Sequence, residues 1–320
     1  MNNLNRIRRI QTEIKDLFEN TLEDNGIYYE LNNEDINVIK VMMIGTKNTP
    51  YENGFFFFSI RFPDNYPSSP VKVWYYTTHP SMRFNPNLYN NGKVCLSIIN
   101  TWGRTDNWTD QMTVKGVILS IQSMVLTEQP LKNEPGLQVT TERIENYNDV
   151  LKYCVFNVGI YQVLTKPVTN LLEGSSVTLV TSGPVINAEN TISFECFQSV
   201  IEKHFIDNIK WYIHELMILD FKNGNRMLTF NRPFSPYKFK CNYDELIIKY
   251  KEHYKKLTDN DVSGIENIKI NIDNINIKKL KNLQLVNICR TNKFKGFSNK
   301  NKENLIKLIY EKSVNNEILL

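Results

Sequence analysis

Three consecutive runs rich in β-branched and aromatic residues constrain the fold most. They are GIYYEL ending at Leu31, INVIKVMMI ending at Ile44 and FFFFSIRF ending at Phe62. Asn/Asp residues separate the first two, and GTKNTPYENG, from Gly45 to Gly54, separates the second from the third, so they read as an antiparallel meander. PDNYPSSP follows, with three prolines in eight residues. Such a segment is neither helix nor central strand, and VKVWYY then supplies a fourth strand.

On either side of the meander the period changes. Leu4, Ile7, Ile10, Ile14, Leu17, Phe18 and Leu22 recur at three- and four-residue steps, which predicts an amphipathic helix over 4–22 with Arg6, Arg8 and Arg9 off its apolar face. Residues 77–110 show no sustained periodicity, and so long an irregular stretch inside a compact domain is usually functional. Thr109 or Asp110 caps a buried helix marked by Val114, Val117, Ile118, Ile121 and Val125. Further helices are expected over 141–165, 192–219 and 243–257, with EGSSVTLVTSGP as a linker between the first two. The expected fold is α+β, with a catalytic domain over 1–165, a mainly helical extension over 166–270 and a small basic module over 276–320. A chain of 320 residues is long enough for more than one domain.

Charge and cysteines exclude several classes. With 38 basic and 34 acidic side chains, the net +4 names no partner. No apolar run approaches the roughly 20 residues that span a bilayer, and the start lacks a signal-peptide core, so a soluble, unsecreted protein of cytosol or nucleus is expected, with no membrane partner. Five scattered cysteines without CxxC spacing argue against a disulfide framework and against a zinc site. No metal or organic cofactor is expected.

Within the irregular stretch, NPNLYNNGKVCL is a turn-rich loop that delivers a thiol, Cys95, where a bulky partner can reach it. A lone cysteine among apolar neighbours is more often inert packing, so the context decides. Asn87 lies eight residues before Cys95, Asn91-Gly92 stands between them, and Cys95-Leu96 closes the motif. With GTKNTPYENGFFFFSIRFPDNYPSSPVKVWY upstream and SIQSMVLTEQPLKNEPG downstream, residues 1–165 resemble the ubiquitin-conjugating enzyme family, most closely its larger, C-terminally extended Z-type members.

The resemblance implies a ubiquitin-conjugating fold and two acyl transfers. Cys95 accepts ubiquitin as a thioester from an activating enzyme, and a lysine amine of a substrate protein then displaces it. Asn87 matches the residue that stabilises the oxyanion or orders the loop. Glu134, in NEPG, falls where the family has an acidic residue beside the incoming lysine, with Asp106 and Asp110 as alternatives. Arg6, Arg8 and Arg9 match the basic first helix that contacts the activating enzyme, and Pro67, Ser68 and Trp108 occupy the ligase-facing positions. The family's histidine is Asn85 here, and His79 lies too far upstream to replace it. A binding module of the same fold would lack the cysteine, whereas transfer of a ubiquitin-like modifier would leave every motif unchanged.

The segment NRPFSPYKFKCNYDELIIKYKEHYKKL is similar to the tail of Z-type members, which implies an ordered extension. Residues 276–320 hold ten Lys/Arg against three Glu, a net of 10 − 3 = +7. LKNLQLVNICRTNKFKGFSNKNKENLIKLIYE resembles a SAP-type helix pair, which implies DNA as a candidate partner. His204, His214 and His253 sit in helical patterns without ligand spacing.

Overall fold

The computed structural model describes residues 3–33, 35–102, 107–166, 192–223, 227–230, 237–266, 268–275, 277–313 and 315–319. The linker EGSSVTLVTSGP and Asp106 lie outside them. The chain divides into two compact units, Met1–Ile201 with Leu228–Phe239, and Glu202–Met227 with Lys240–Leu320.

The first unit opens with α1 (Asn3–Glu19), followed by β1 (Ile27–Leu31), β2 (Val38–Ile44), β3 (Phe55–Arg61) and β4 (Lys72–Tyr75). The strands pair in chain order, all antiparallel, with Tyr28 opposite Met42, Met42 opposite Phe57 and Phe58 opposite Tyr75. α2 (Val114–Met124) and α3 (Thr141–Cys154) follow, and a π-helical stretch (Val155–Gln162) carries α3 into the short α4 (Val163–Thr165).

β2 and the FFFF run of β3 lack polar alternation because both faces of the sheet are covered. On one face Phe56 meets Tyr51 at 5.5 Å and Phe84 at 6.2 Å, while Phe58 meets Tyr75 at 5.1 Å. On the other, Phe57 and Tyr76 lie 5.1 and 5.0 Å from Phe194, a residue beyond the linker. A strand buried on both sides reads as a continuous apolar run.

Two expectations for the helices that flank the sheet change. α1 buries Ile10 and Leu17 with Glu13 between them, whereas Leu4, Ile7 and Phe18 are about half exposed. The narrower stripe suffices because Glu13 is satisfied internally: Arg9 Nε donates to it at 2.6 Å, the Val114 backbone N–H at 2.7 Å, and the Tyr66 hydroxyl completes the set. The cap of α2 is Thr113, whose Oγ1 accepts from Gly116 N–H at 3.1 Å, in place of Thr109 or Asp110.

The stretch expected as one helix over 192–219 is a 3-10 turn (Glu195–Phe197), α5 (Gln198–Asp207) and α6 (Ile209–Asn223), broken at Asn208. Short strands β5 (Met227–Phe230) and β6 (Tyr237–Lys240) pair, and α7 (Tyr243–Leu257) starts at Asn242, whose side chain accepts from Glu245 N–H. In the second unit Phe205 stacks on Tyr212 and Tyr250 meets both edge-on, with centroids 5.5–5.7 Å apart. β7 (Ile270–Asn271), α8 (Asn282–Thr291), α9 (Lys302–Lys312) and β8 (Glu317–Ile318) close around Leu285, Ile288, Leu305 and Ile309. The β7–β8 pair is too short to announce itself in sequence.

Candidate active site

The loop that carries Cys95 is irregular in outline and dense in hydrogen bonds. Tyr51, fully buried on the turn after β2, donates its hydroxyl to Phe84 C=O at 2.6 Å. Asn85, also fully buried, donates to Val125 C=O at 2.8 Å and to the Tyr51 hydroxyl at 3.3 Å. Its Oδ1 accepts from the backbone N–H of Asn87 at 2.8 Å and from Asn133 Nδ2 at 3.4 Å. One side chain thus ties the start of the loop to the end of α2 and to the segment after it.

A second tie closes the loop on the thiol. Cys95 N–H donates to Asn87 C=O at 2.9 Å, and Asn87 Nδ2 returns to Cys95 C=O at 2.5 Å. Between them the chain turns at Gly92, with φ +87 and its carbonyl accepting from Tyr75 N–H at 2.8 Å. A Cβ there would stand 2.3 Å from Trp74 Nε1 and 2.8 Å from Tyr75 C=O, so only glycine fits. Beyond the thiol, Thr101 Oγ1 accepts from Leu96 N–H at 2.8 Å and donates to Val94 C=O at 2.9 Å. Cys95 is left 3% exposed on a backbone fixed from both sides.

The same loop carries groups that sequence reasoning did not single out. Burial, followed by the neighbouring Cys95 thiol, pushes the Tyr89 phenol above its ordinary value against the opposing pull of Arg83. The Arg83 guanidinium lies 3.9 Å from the Tyr89 ring centroid and the Lys93 amine 5.7 Å. A depression of about 360 Å³ is lined by Asn87, Leu96 and Trp102 on one part, and by Lys132, Asn133 and Pro135 on another.

The predicted residues distribute unevenly over this geometry. Asn87 sits against Cys95 and orders its backbone, and its Oδ1 is buried without a partner. Glu134 ends the 3-10 turn Pro130–Asn133, half-buried, and the depression is lined by Lys132, Asn133 and Pro135 around it. On α1, Arg6 donates to Pro63 C=O at 2.9 Å and to Asn37 Oδ1 at 2.7 Å, and Arg9 donates to Glu13 and to Met112 C=O at 2.9 Å. Arg8 is exposed. Pro67, Ser68 and Trp108 do come together: Trp108 Nε1 donates to Pro67 C=O at 2.6 Å, burying both side chains and leaving Ser68 outward. His79 packs tilted against Phe239, ring centroids 5.2 Å apart, and is depressed in pKa by burial, as suits a packed residue.

The chain's similarities fall on this same region. Residues 9–155 match the family model described as ubiquitin-conjugating enzyme. Ubiquitin-conjugating enzyme E2 Z of Danio rerio is 37% identical over 161 residues, covering 49% of this chain and 48% of the relative. Its Xenopus tropicalis counterpart is 35% identical over 161 residues, covering 49% and 50%. The Homo sapiens dual E2 ubiquitin-conjugating enzyme/E3 ubiquitin-protein ligase BIRC6 is 46% identical over 117 residues, covering 35% of this chain and 2% of that protein. The chain therefore spans half or less of the length of these relatives.

Proposed function

Through residues 9–155 this chain belongs to the ubiquitin-conjugating enzyme family, and from that premise we propose that Cys95 accepts ubiquitin from an activating enzyme as a thioester and passes it to a lysine amine. The observation that carries the reading is the reciprocal pair of bonds between Asn87 and Cys95, which holds the thiol-bearing residue in one geometry at the edge of a depression.

In the first transfer the Cys95 thiolate attacks the carbonyl of the activating enzyme's thioester, and that enzyme's thiolate leaves with the electron pair. In the second, the amine lone pair attacks the Cys95 thioester, the C–N bond forms, the C–S bond breaks, and the pair returns to Cys95 Sγ. Both steps pass through an oxyanion. Asn87 keeps one amide N–H beyond the bond to Cys95 C=O, and with Cys95 N–H engaged by Asn87 its main contribution is to fix where the carbonyl forms. Asn85 does the work that a histidine would do at its position, since its amide supplies both a donor and an acceptor.

A charging assay tests the reading: purified activating enzyme, ATP and ubiquitin, run on non-reducing gels with wild type, Cys95→Ala and Cys95→Ser. A thiol-sensitive adduct, absent in Cys95→Ala and hydroxylamine-resistant in Cys95→Ser, is expected. The same assay with ubiquitin-like modifiers and their activating enzymes decides which modifier is carried. Absence of an adduct with every pair sinks the carrier role and leaves a binding module.

A second reading concerns residues 276–320. Residues 282–302 contain Arg290, Lys293, Lys295, Lys300 and Lys302 and no carboxylate, and they form α8 and the turn into α9. Five cations without a carboxylate on α8 and the turn after it fit a DNA backbone. Retention of the full chain on duplex DNA, lost when these five are changed to Gln and falling steeply with salt, is the expected result; retention unaffected by the change refutes it.

A further inference from the structure

Two peptide planes meet at the Cys95 Cα, and each is held at both ends. In the plane before it, Cys95 N–H donates to Asn87 C=O at 2.9 Å, while Val94 C=O accepts from the Thr101 hydroxyl at 2.9 Å. In the plane after it, Cys95 C=O accepts from Asn87 Nδ2 at 2.5 Å, while Leu96 N–H donates to Thr101 Oγ1 at 2.8 Å. A hydroxyl is both donor and acceptor, so one side chain serves both planes. Thr101 is itself anchored. The 3-10 turn Ser97–Ile99 ends on Asn100 at φ +56, which reverses the chain and lets Thr101 N–H donate to Leu96 C=O at 3.1 Å. Asn100 Oδ1 accepts from Asn107 N–H at 3.0 Å and from Trp108 N–H at 3.2 Å, and so pins that turn.

Because peptide groups are planar, the soft backbone angles at Cys95 are φ and ψ alone, and fixing the planes on both sides fixes both. Asn87 holds one end of each plane, and the other ends belong to Thr101. We propose that Thr101 is the second positioning residue of the thiol: with Asn87 it sets the direction in which Cys95 Sγ leaves the chain, and so the rate of both acyl transfers. This assignment rests on the carrier role proposed above. Thr101 acts through the backbone of Cys95, and because it is exposed its contribution is the hydroxyl rather than packing. Both N–H groups beside the thiol, of Cys95 and Leu96, are committed to this clamp, which therefore orders the chain and does not offer them as a backbone oxyanion hole.

Misplacing a reacting group by about 1 Å costs on the order of 100-fold in rate, so losing one of the two holds on each plane should cost about ten-fold. The experiment follows single-turnover transfer of ubiquitin from a loaded activating enzyme to the full chain over a range of its concentrations, which separates maximal rate from half-saturation. Discharge of the purified thioester to free lysine is then followed on non-reducing gels. Thr101→Val keeps the side-chain shape and removes both bonds. It should lower the maximal rate and the discharge rate about ten-fold each, with half-saturation within about two-fold of wild type. Thr101→Ser keeps the hydroxyl on a freer side chain and should stay within about three-fold of wild type in both steps. Thr101→Ala should match Thr101→Val, and urea unfolding establishes that each assayed variant is folded. Rates of Thr101→Val within about two-fold of wild type, a loss confined to half-saturation, or a Thr101→Ser variant as slow as Thr101→Val overturns the assignment while the carrier role stands. Failure of wild type to form the adduct overturns both.

Discussion

Asn85 is where stability and chemistry meet, and Asn85→Ala is the sharpest perturbation of the loop. The side chain makes two bonds of 2.8 Å, to Val125 C=O and from Asn87 N–H, and two longer ones of 3.3 and 3.4 Å. Taking about 1 kcal/mol for each short bond and about 0.5 for each long one gives about 3 kcal/mol. That figure is a floor for a fully buried site, because Val125 C=O and Asn87 N–H are then left without partners. The chain has four tryptophans, at 74, 102, 108 and 211, so a Trp211→Phe background makes fluorescence report the first unit alone. With a denaturant slope of about 2 kcal/mol per molar urea, the midpoint of that unit should fall by about 1.5 M. Asn85→Asp should cost at least as much, since it sets an oxygen against Val125 C=O. In the charging assay both variants should form the Cys95 adduct slowly at temperatures where they remain folded. A loss below about 1 kcal/mol, or full-speed charging, would refute the claim that this one amide sets the loop.

Three further outcomes follow from the geometry. Gly92→Ala forces a Cβ against Tyr75 C=O at a left-handed backbone position, so it should lower stability by about 2 kcal/mol or more and cripple charging, read by urea unfolding and the gel assay. Arg8→Ala should weaken charging several-fold at limiting activating enzyme with unchanged unfolding, whereas Arg6→Ala, which loses the bonds to Pro63 and Asn37, should cost about 1–2 kcal/mol in unfolding. In the second unit, burial and then Asp244 push Asp220 up to about 6. Its folded value lies above the unfolded one, so its contribution is present below about pH 4 and is lost as pH rises through 6. Asp220→Asn should therefore stabilise that unit at pH 7 by about 1 kcal/mol, a figure discounted for half exposure, and by nothing near pH 4.

The meander, α2 and α7 were legible because their signals are local. Strand runs bounded by turn residues and a 3.6 period each act within a few positions. The loop that carries Cys95 was legible for the same reason, since Asn87, Gly92 and Cys95 lie close together in sequence. What sequence reading missed is nonlocal. Glu13 reads as a solvated charge on a helix, and only the approach of Val114, 101 residues away, makes it a buried staple. Lys132 and Glu134 are two residues apart, and which of them lines the depression depends on how the 3-10 turn after α2 closes, a choice that periodicity does not make. Tyr89 lies six residues before Cys95 with nothing in its type or spacing to tie it to the thiol.

The covered sheet shows how far such nonlocal effects reach. Met42 and Phe57 pair across β2 and β3 and are fully buried, although a meander with helices on one face would leave them to water. Their cover includes Phe194, fully buried itself and placed well beyond the catalytic motifs. Burying an aromatic side chain of this size contributes about 2–3 kcal/mol. The same surface explains Lys40, 92% buried on β2 between Glu30 and Ser59, beside the Cys196 thiol two residues from Phe194. A sheet evolved to face solvent would keep its lysine outward and free. Here apolar strands on the far side of the sheet and an aromatic segment beyond the linker make sense only together, so residues 192–201 belong to the catalytic unit's core, and cutting the chain at 165 would expose that face.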